Sequence, residues 1–147
     1  MIGIVVVTHG SLAKSIVESA ELIMGKQNNV VALGLEHGDS VELLKDEVKN
    51  SIIKMDKGKG VLVFVDILGG SPSNVALRNM IDLNFKCITG LSMPMLIEAF
   101  ASREGCSLEE LADNCTEAGR TGIRELHKEI ENYTRRSSDG RNCSNKD

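Results

Sequence analysis

The run Ile2-Gly3-Ile4-Val5-Val6-Val7-Thr8 constrains this chain more than any other stretch. Its apolar residues are consecutive rather than alternating, and most are β-branched. That is the pattern of a strand buried on both faces, the kind found in parallel sheets covered by helices. The run leads directly into His9-Gly10. In α/β folds the crevice outside the strand carboxyl ends is where ligands bind. A histidine there can switch between a neutral nucleophile and a cation near neutral pH.

The rest of the chain repeats the theme. Further strand-like runs lie at Val30 to Leu35, Val61 to Val65 and Cys87 to Leu91, with helical patterns between them. Leu12, Ile16, Ala20 and Ile23 recur at helical spacing, and Gly25 offers a stop. Asp39 and Glu42 resemble a capping box for a second helix with the stripe Val41, Leu44, Val48, Ile52 and Met55. After the third strand comes Gly69-Gly70-Ser71-Pro72, where Ser71 suits a helix cap and Pro72 the first helical position. That helix is expected to run to about Ile81. Pro94 opens another, through Leu96, Ile97, Phe100 and Ala101, and Ser107 with Glu110 caps a last helical region. Gly119 and Gly122 weaken the middle of that region, which leaves one helix or two segments open. From Asn132 onward the chain is polar with almost nothing to bury, which predicts a frayed or disordered tail. One domain over residues 1–130 and a tail over 131–147 is the organisation expected for 147 residues.

Alternating strands and helices predict a doubly wound α/β fold, with a mainly parallel sheet, helices on both faces and right-handed connections. With four strands the expected order is 2-1-3-4, which puts the switch point between strands 1 and 3. Three residues far apart in sequence, His9, Asp66 and Ser71, then meet at one edge.

Composition narrows the chemistry. A net charge of −4 without a basic stripe argues against nucleic acid as a partner. No apolar run approaches the roughly 20 residues that cross a bilayer. Met1 leads into a strand rather than a secretory leader, so a cytoplasmic location is expected. Cys87, Cys106, Cys115 and Cys143 form no CxxC pair, and His9, His37 and His127 add no ligand-like spacing. Ordinary reduced thiols are expected, with neither metal nor cofactor.

A neutral imidazole beside a carboxylate has a defined capability. If Asp66 accepts from one ring N–H, it fixes the tautomer and leaves the other nitrogen free to attack phosphorus. The transferred group then needs donors. Gly69, Gly70 and Ser71, opening a helix, supply N–H groups, a hydroxyl and the positive end of a dipole. Thr8, with Gly10 and Ser11, stands where it can contribute in the same way. The other candidates read as less specific. His37 is a solvated loop residue, and His127 lies at a charged helix end. Met93 and Met95 flank Pro94 at the site rim or a partner surface. Arg103, Arg120 and Arg124 are solvated helix residues.

These motifs together resemble the enzyme IIA component of the mannose-family (mannose, fructose, sorbose, N-acetylgalactosamine) sugar phosphotransferase system of bacteria. The match is carried by Ile4-Val5-Val6-Val7-Thr8-His9-Gly10, Gly60-Val61-Leu62-Val63-Phe64-Val65-Asp66 and Gly69-Gly70-Ser71-Pro72-Ser73-Asn74. Gly90-Leu91-Ser92-Met93-Pro94-Met95-Leu96 and Glu117-Ala118-Gly119-Arg120 extend it over about residues 1–130. The resemblance implies that His9 takes a phosphoryl group from the phosphocarrier protein HPr and passes it to a IIB component serving a membrane permease. It implies Asp66 as the carboxylate on that histidine and Ser71 as part of the phosphate-binding loop. It also implies a homodimer whose sheet is extended by an exchanged antiparallel strand. With no proline after Pro94, the chain lacks a linker of the Ala/Pro-rich kind, so IIB is expected on a separate polypeptide. The phosphoryl-donor subunit of a dihydroxyacetone kinase shares this architecture, although the full GGSP loop favours the sugar-transport branch. A histidine phosphatase is the more distant alternative, with Thr8 standing where such an enzyme has arginine.

Overall fold

The computed structural model describes residues 1–142. Its elements follow in the order β1 (Gly3–His9), α1 (Leu12–Met24), β2 (Val30–Leu35), α2 (Val41–Met55), β3 (Val61–Val65) and α3 (Ser71–Asn79). Then come β4 (Lys86–Ile88), α4 (Met93–Ser102), α5 (Leu108–Thr121) and α6 (Leu126–Asn142). The strands form one parallel sheet of order β2-β1-β3-β4, as the alternation predicts.

Odd and even strand residues explain the layers, because successive side chains point to opposite faces. Ile4, Val6, Leu62 and Phe64 pack with Ala13, Val17 and Ala20 of α1, Leu96, Ala99 and Phe100 of α4, and Leu111 of α5. Val5, Val7, Val61, Val63 and Val65 face the other way, onto Leu44, Val48 and Ile52 of α2 and Val75 and Ala76 of α3. Both faces of β1 and β3 are thus closed, which is why their sequences are apolar without alternation. Each such side chain contributes about 1.5–3 kcal/mol by leaving water.

Several local expectations shift. The buried stripe of α1 is Ala13, Val17 and Ala20, whereas Leu12 and Ile23 are exposed, because the sheet takes the small side of the helix. Ser40, not Asp39, caps α2 by accepting from Leu43 N–H, and the Asp39 carboxylate accepts from Glu36 N–H instead. Gly70 rather than Ser71 occupies the cap of α3, and that helix stops at Asn79, short of Ile81. The Ser107/Glu110 capping box forms as expected, and the chain breaks after Gly122 into two helices.

The segment from Asn132 is helical through Asn142, not an unstructured tail, and residues 143–147 lie outside the described residues. A shortage of apolar residues argues against docking, not against a helix. The residues from Asn132 are themselves mostly weak helix formers, apart from three arginines, and they continue a helix that starts at Leu126 beside the Lys128–Glu125 and Arg124–Glu129 pairs. Leu126, Ile130 and Tyr133 remain exposed on α6.

Arg103 also departs from expectation. It is not solvated but only 3% exposed, at the end of α4 beside the amino ends of the strands. Its Nη1 donates to the Asn29 carbonyl (3.3 Å), and its Nη2 to the Asn28 carbonyl (2.6 Å) and Gln27 Oε1 (3.0 Å). The guanidinium lies over the Phe100 ring, 5.6 Å from its centroid.

Candidate functional site

The opposite edge, at the strand carboxyl ends, brings together the residues expected to form the site. Parallel pairing of β1 with β3 sets Val7 beside Val65; β3 ends there, while β1 stays paired to β2 through His9 opposite Leu35. His9 and Asp66 meet there. Asp66 Oδ2 accepts from the His9 main-chain N–H at 2.8 Å and lies 2.7 Å from His9 Nδ1. Asp66 Oδ1 accepts from Ile67 N–H at 2.9 Å. The His9 side chain is 47% exposed, that of Asp66 only 11%.

The protonation pattern follows from that geometry. Burial alone would push the Asp66 carboxyl up. The hydrogen bonds from His9 N–H, the His9 ring and Ile67 N–H outweigh it and hold the group below the usual aspartate value. Asp66 is therefore a carboxylate that accepts, and in the neutral ring Nδ1 carries the proton. Nε2 keeps its lone pair and faces outward.

The Gly-Gly-Ser-Pro segment faces that nitrogen. Gly70 adopts φ +93°, a conformation that favours glycine, and a Cβ placed on it would lie 3.4 Å from His9 Nε2 and 3.2 Å from Cε1. The residue that caps α3 thus abuts the reactive edge of the ring. The first N–H groups of a helix have no acceptor within it, and they carry its positive partial charge. Gly69, Gly70 and Ser71 stand at that end, where an anion on Nε2 finds main-chain donors.

Thr8 takes a different role from the expected phosphate contact. It is fully buried, and its hydroxyl is committed, accepting from Ala13 N–H (2.8 Å) and donating to the His9 carbonyl (3.1 Å). It braces the turn into α1. Gly10 continues that turn at φ +55°, donating to the Leu35 carbonyl. Among the other candidates, His37 and His127 are exposed, and His37 follows β2 two residues beyond Leu35, the strand partner of His9. Met95 belongs to the core, not the rim. Arg124 pairs with Glu129, and Arg120 lines a cavity with Thr89 and Gly90 on the β4 side. Cys87 and Cys115 are free thiols raised by burial to about 11 and about 12, too high for thiolate chemistry at neutral pH.

The fold and site define an α/β protein that presents an oriented imidazole beside a helix start. Comparison with known proteins gives it a family. Residues 3–116 match the family described as EIIA-man, PTS system fructose IIA component. The chain is 37% identical over 127 residues to the mannose-specific EIIAB component of the phosphotransferase system of Escherichia coli K12. That match covers 85% of this chain and 39% of the relative, so the chain spans about two-fifths of that protein's length. It is 25% identical to the fructose-specific EIIA component of Bacillus subtilis, covering 96% of this chain and 97% of that one. Among solved structures, EIIA from Streptococcus agalactiae superposes with a TM-score of 0.81 at 31% identity, over 87% of this chain and 99% of that one. The chain belongs to the mannose family of phosphotransferase-system IIA components, a family of phosphotransfer in sugar transport.

Proposed function

We propose that the protein is a phosphoryl relay in which His9 receives phosphate from phospho-HPr and hands it to a IIB component, and through it to a membrane permease that takes up and phosphorylates a sugar. One observation carries the reading: Asp66 Oδ2 holds both the main chain and Nδ1 of His9, leaving Nε2 against Gly70 at the start of α3. In the transfer, the Nε2 lone pair forms a new N–P bond as the donor's N–P bond breaks, and that electron pair returns to the donor imidazole. The proton on Nδ1 stays in its bond to Asp66, whose charge offsets the positive charge developing on the ring. Gly69, Gly70 and Ser71 meet the phosphoryl oxygens. Within this reading residues 1–130 form the phosphotransferase domain, working in the cytoplasm as a homodimer. Among the described residues no helix is long and apolar enough to cross a membrane.

Incubation with phosphoenolpyruvate, enzyme I and HPr, followed by intact-mass analysis, tests this. One acid-labile phosphate is expected on the unaltered protein and on His37→Ala, and none on His9→Ala. Phosphate retained by His9→Ala overturns the reading.

A further inference from the structure

Among the arginines that precede α6, Arg120 is the one left unengaged. Arg78 pairs with Glu42, Arg103 is held by carbonyls, and Arg124 faces Glu129. The Arg120 side chain forms no ion pair or hydrogen bond among the described residues, and neither does the Thr89 hydroxyl. Both border an open cavity of about 380 Å³ between β4, α4 and α5, lined also by Ile88, Met95, Thr116 and Ile123. Gly119 lets α5 approach α4 so closely that a Cβ there would lie 2.6 Å from Met95 Cε, which sets Arg120 beside the α4 start. Apolar walls around a few convergent polar groups are the make-up of a small-ligand site.

The cavity wall is joined to the His9 site. Gly90, also in the wall, donates its N–H to the Asp66 carbonyl (3.1 Å), and Leu91 donates to that of Val65 (3.1 Å). The next residue, Ser92, caps α4 without a side-chain bond, and its Oγ is buried with no hydrogen-bond partner. Ser40 and Ser107, in the same position on α2 and α5, accept from the N–H three residues on. For Ser92 that donor is Met95 N–H, on a residue of the cavity wall. A buried hydroxyl without a partner costs free energy, so residues 89–92 gain from an arrangement in which this bond forms.

We infer that this cavity is a second binding site, for a small organic anion with a short apolar body, and that residues 89–92 transmit its occupancy to His9. Arg120 offers charge-assisted bonds to a phosphate or carboxylate head, and the Thr89 hydroxyl adds a neutral one. Ile88, Met95 and Ile123 flank the apolar body. A ligand against Thr89, Gly90 and Met95 bears on the Asp66 main chain through Gly90, and the Asp66 carboxylate orients the His9 ring. The coupling is reciprocal, so a group carried on His9 changes the affinity of the cavity by the same factor.

Titration of the whole protein with n-butyl phosphate and with butyrate, at constant pH and ionic strength, tests the site by NMR and tells the two head groups apart. Saturable binding at about 1 mM or tighter is expected for at least one of them, with shifts at the Thr89, Gly90 and Gly119 amides and at His9 Cε1–H. Butanol and inorganic phosphate are expected to bind about tenfold more weakly, since each lacks one half of the ligand. Arg120→Gln alters an exposed, unpaired side chain, so the fold is retained while affinity falls about tenfold. Ser92→Ala is expected to bind equally well while the His9 shift falls by about half or more. None of these readouts involves phosphoryl transfer, so their failure leaves the relay reading intact. Absence of saturable binding overturns the site, as it would if a second copy's strand laid along β4 covers the cavity. Equal affinity in Arg120→Gln, or for inorganic phosphate, overturns the ligand class. Shifts confined to the cavity, or a full His9 shift in Ser92→Ala, overturn the link.

Discussion

Arg103 at the amino edge of the sheet and His9 at its carboxyl edge are handled in opposite ways. At the amino edge Arg103 is buried and fully engaged, its guanidinium taken up by two carbonyls, an amide oxygen and an aromatic face. At the carboxyl edge His9 is tied at one nitrogen only, and the other faces outward. The Arg103 arrangement joins the loop after α1 to the end of α4. The His9 arrangement leaves coordination incomplete, with Gly70 at positive φ where a side chain would otherwise press on the ring. A saturated polar group stabilises, whereas one left half-satisfied and oriented can react.

Exchanging the two behaviours gives the largest expected effect. Arg103→Ala orphans buried carbonyls and is expected to cost about 3 kcal/mol in urea unfolding. Its rate of phosphoryl acceptance should stay within about twofold, and an unchanged unfolding midpoint would sink the clamp. Asp66→Asn inverts the pattern. Folding is expected to hold at neutral pH while transfer slows roughly a hundredfold, since an amide neither fixes the tautomer as firmly nor offsets ring charge. Acid sharpens this second case. A carboxyl held below its ordinary value stabilises the fold above about pH 4 and loses that contribution as pH falls through its native value. The stability gap between Asp66 and its Asn variant, measured by urea unfolding, should therefore narrow from pH 7 to pH 3. A gap that widens refutes the depressed value. Gly70→Ala and Gly69→Ala make the finest comparison. Both place a side chain at positive φ, at about 1–2 kcal/mol each. Only the methyl introduced by Gly70→Ala meets the ring, so only that variant should also slow transfer; equal rates in the two variants would remove Gly70 from the site.

Much of this was legible in the sequence because burial leaves a direct trace. The consecutive apolar runs of β1 and β3 identified strands closed on both faces, and the alternation of elements gave the order β2-β1-β3-β4. That order alone brought His9 to Asp66. What stayed hidden were side chains whose role depends on tertiary partners. Arg103 looks like any solvated helix arginine until its carbonyl partners, 74 to 76 residues away in the chain, are in place. Thr8 has the right chemistry for a phosphate ligand, and only the Ala13 N–H shows that its hydroxyl is already engaged. Caps were misplaced by a residue at α2 and α3 because Asp39, Ser40, Gly70 and Ser71 all suit a cap, and backbone geometry decides among them.

The bond between His9 and Asp66 joins residues 57 positions apart, and it exists only when β1 has paired with β3. A chain emerging from synthesis offers the histidine long before the carboxylate, with β2 and α2 made in between. Until the central pair closes, the imidazole is one freely rotating side chain among many, with no preferred nitrogen. In the proposed relay, phosphate loading would thus double as a readout of completed folding, since an unfinished copy lacks the oriented imidazole.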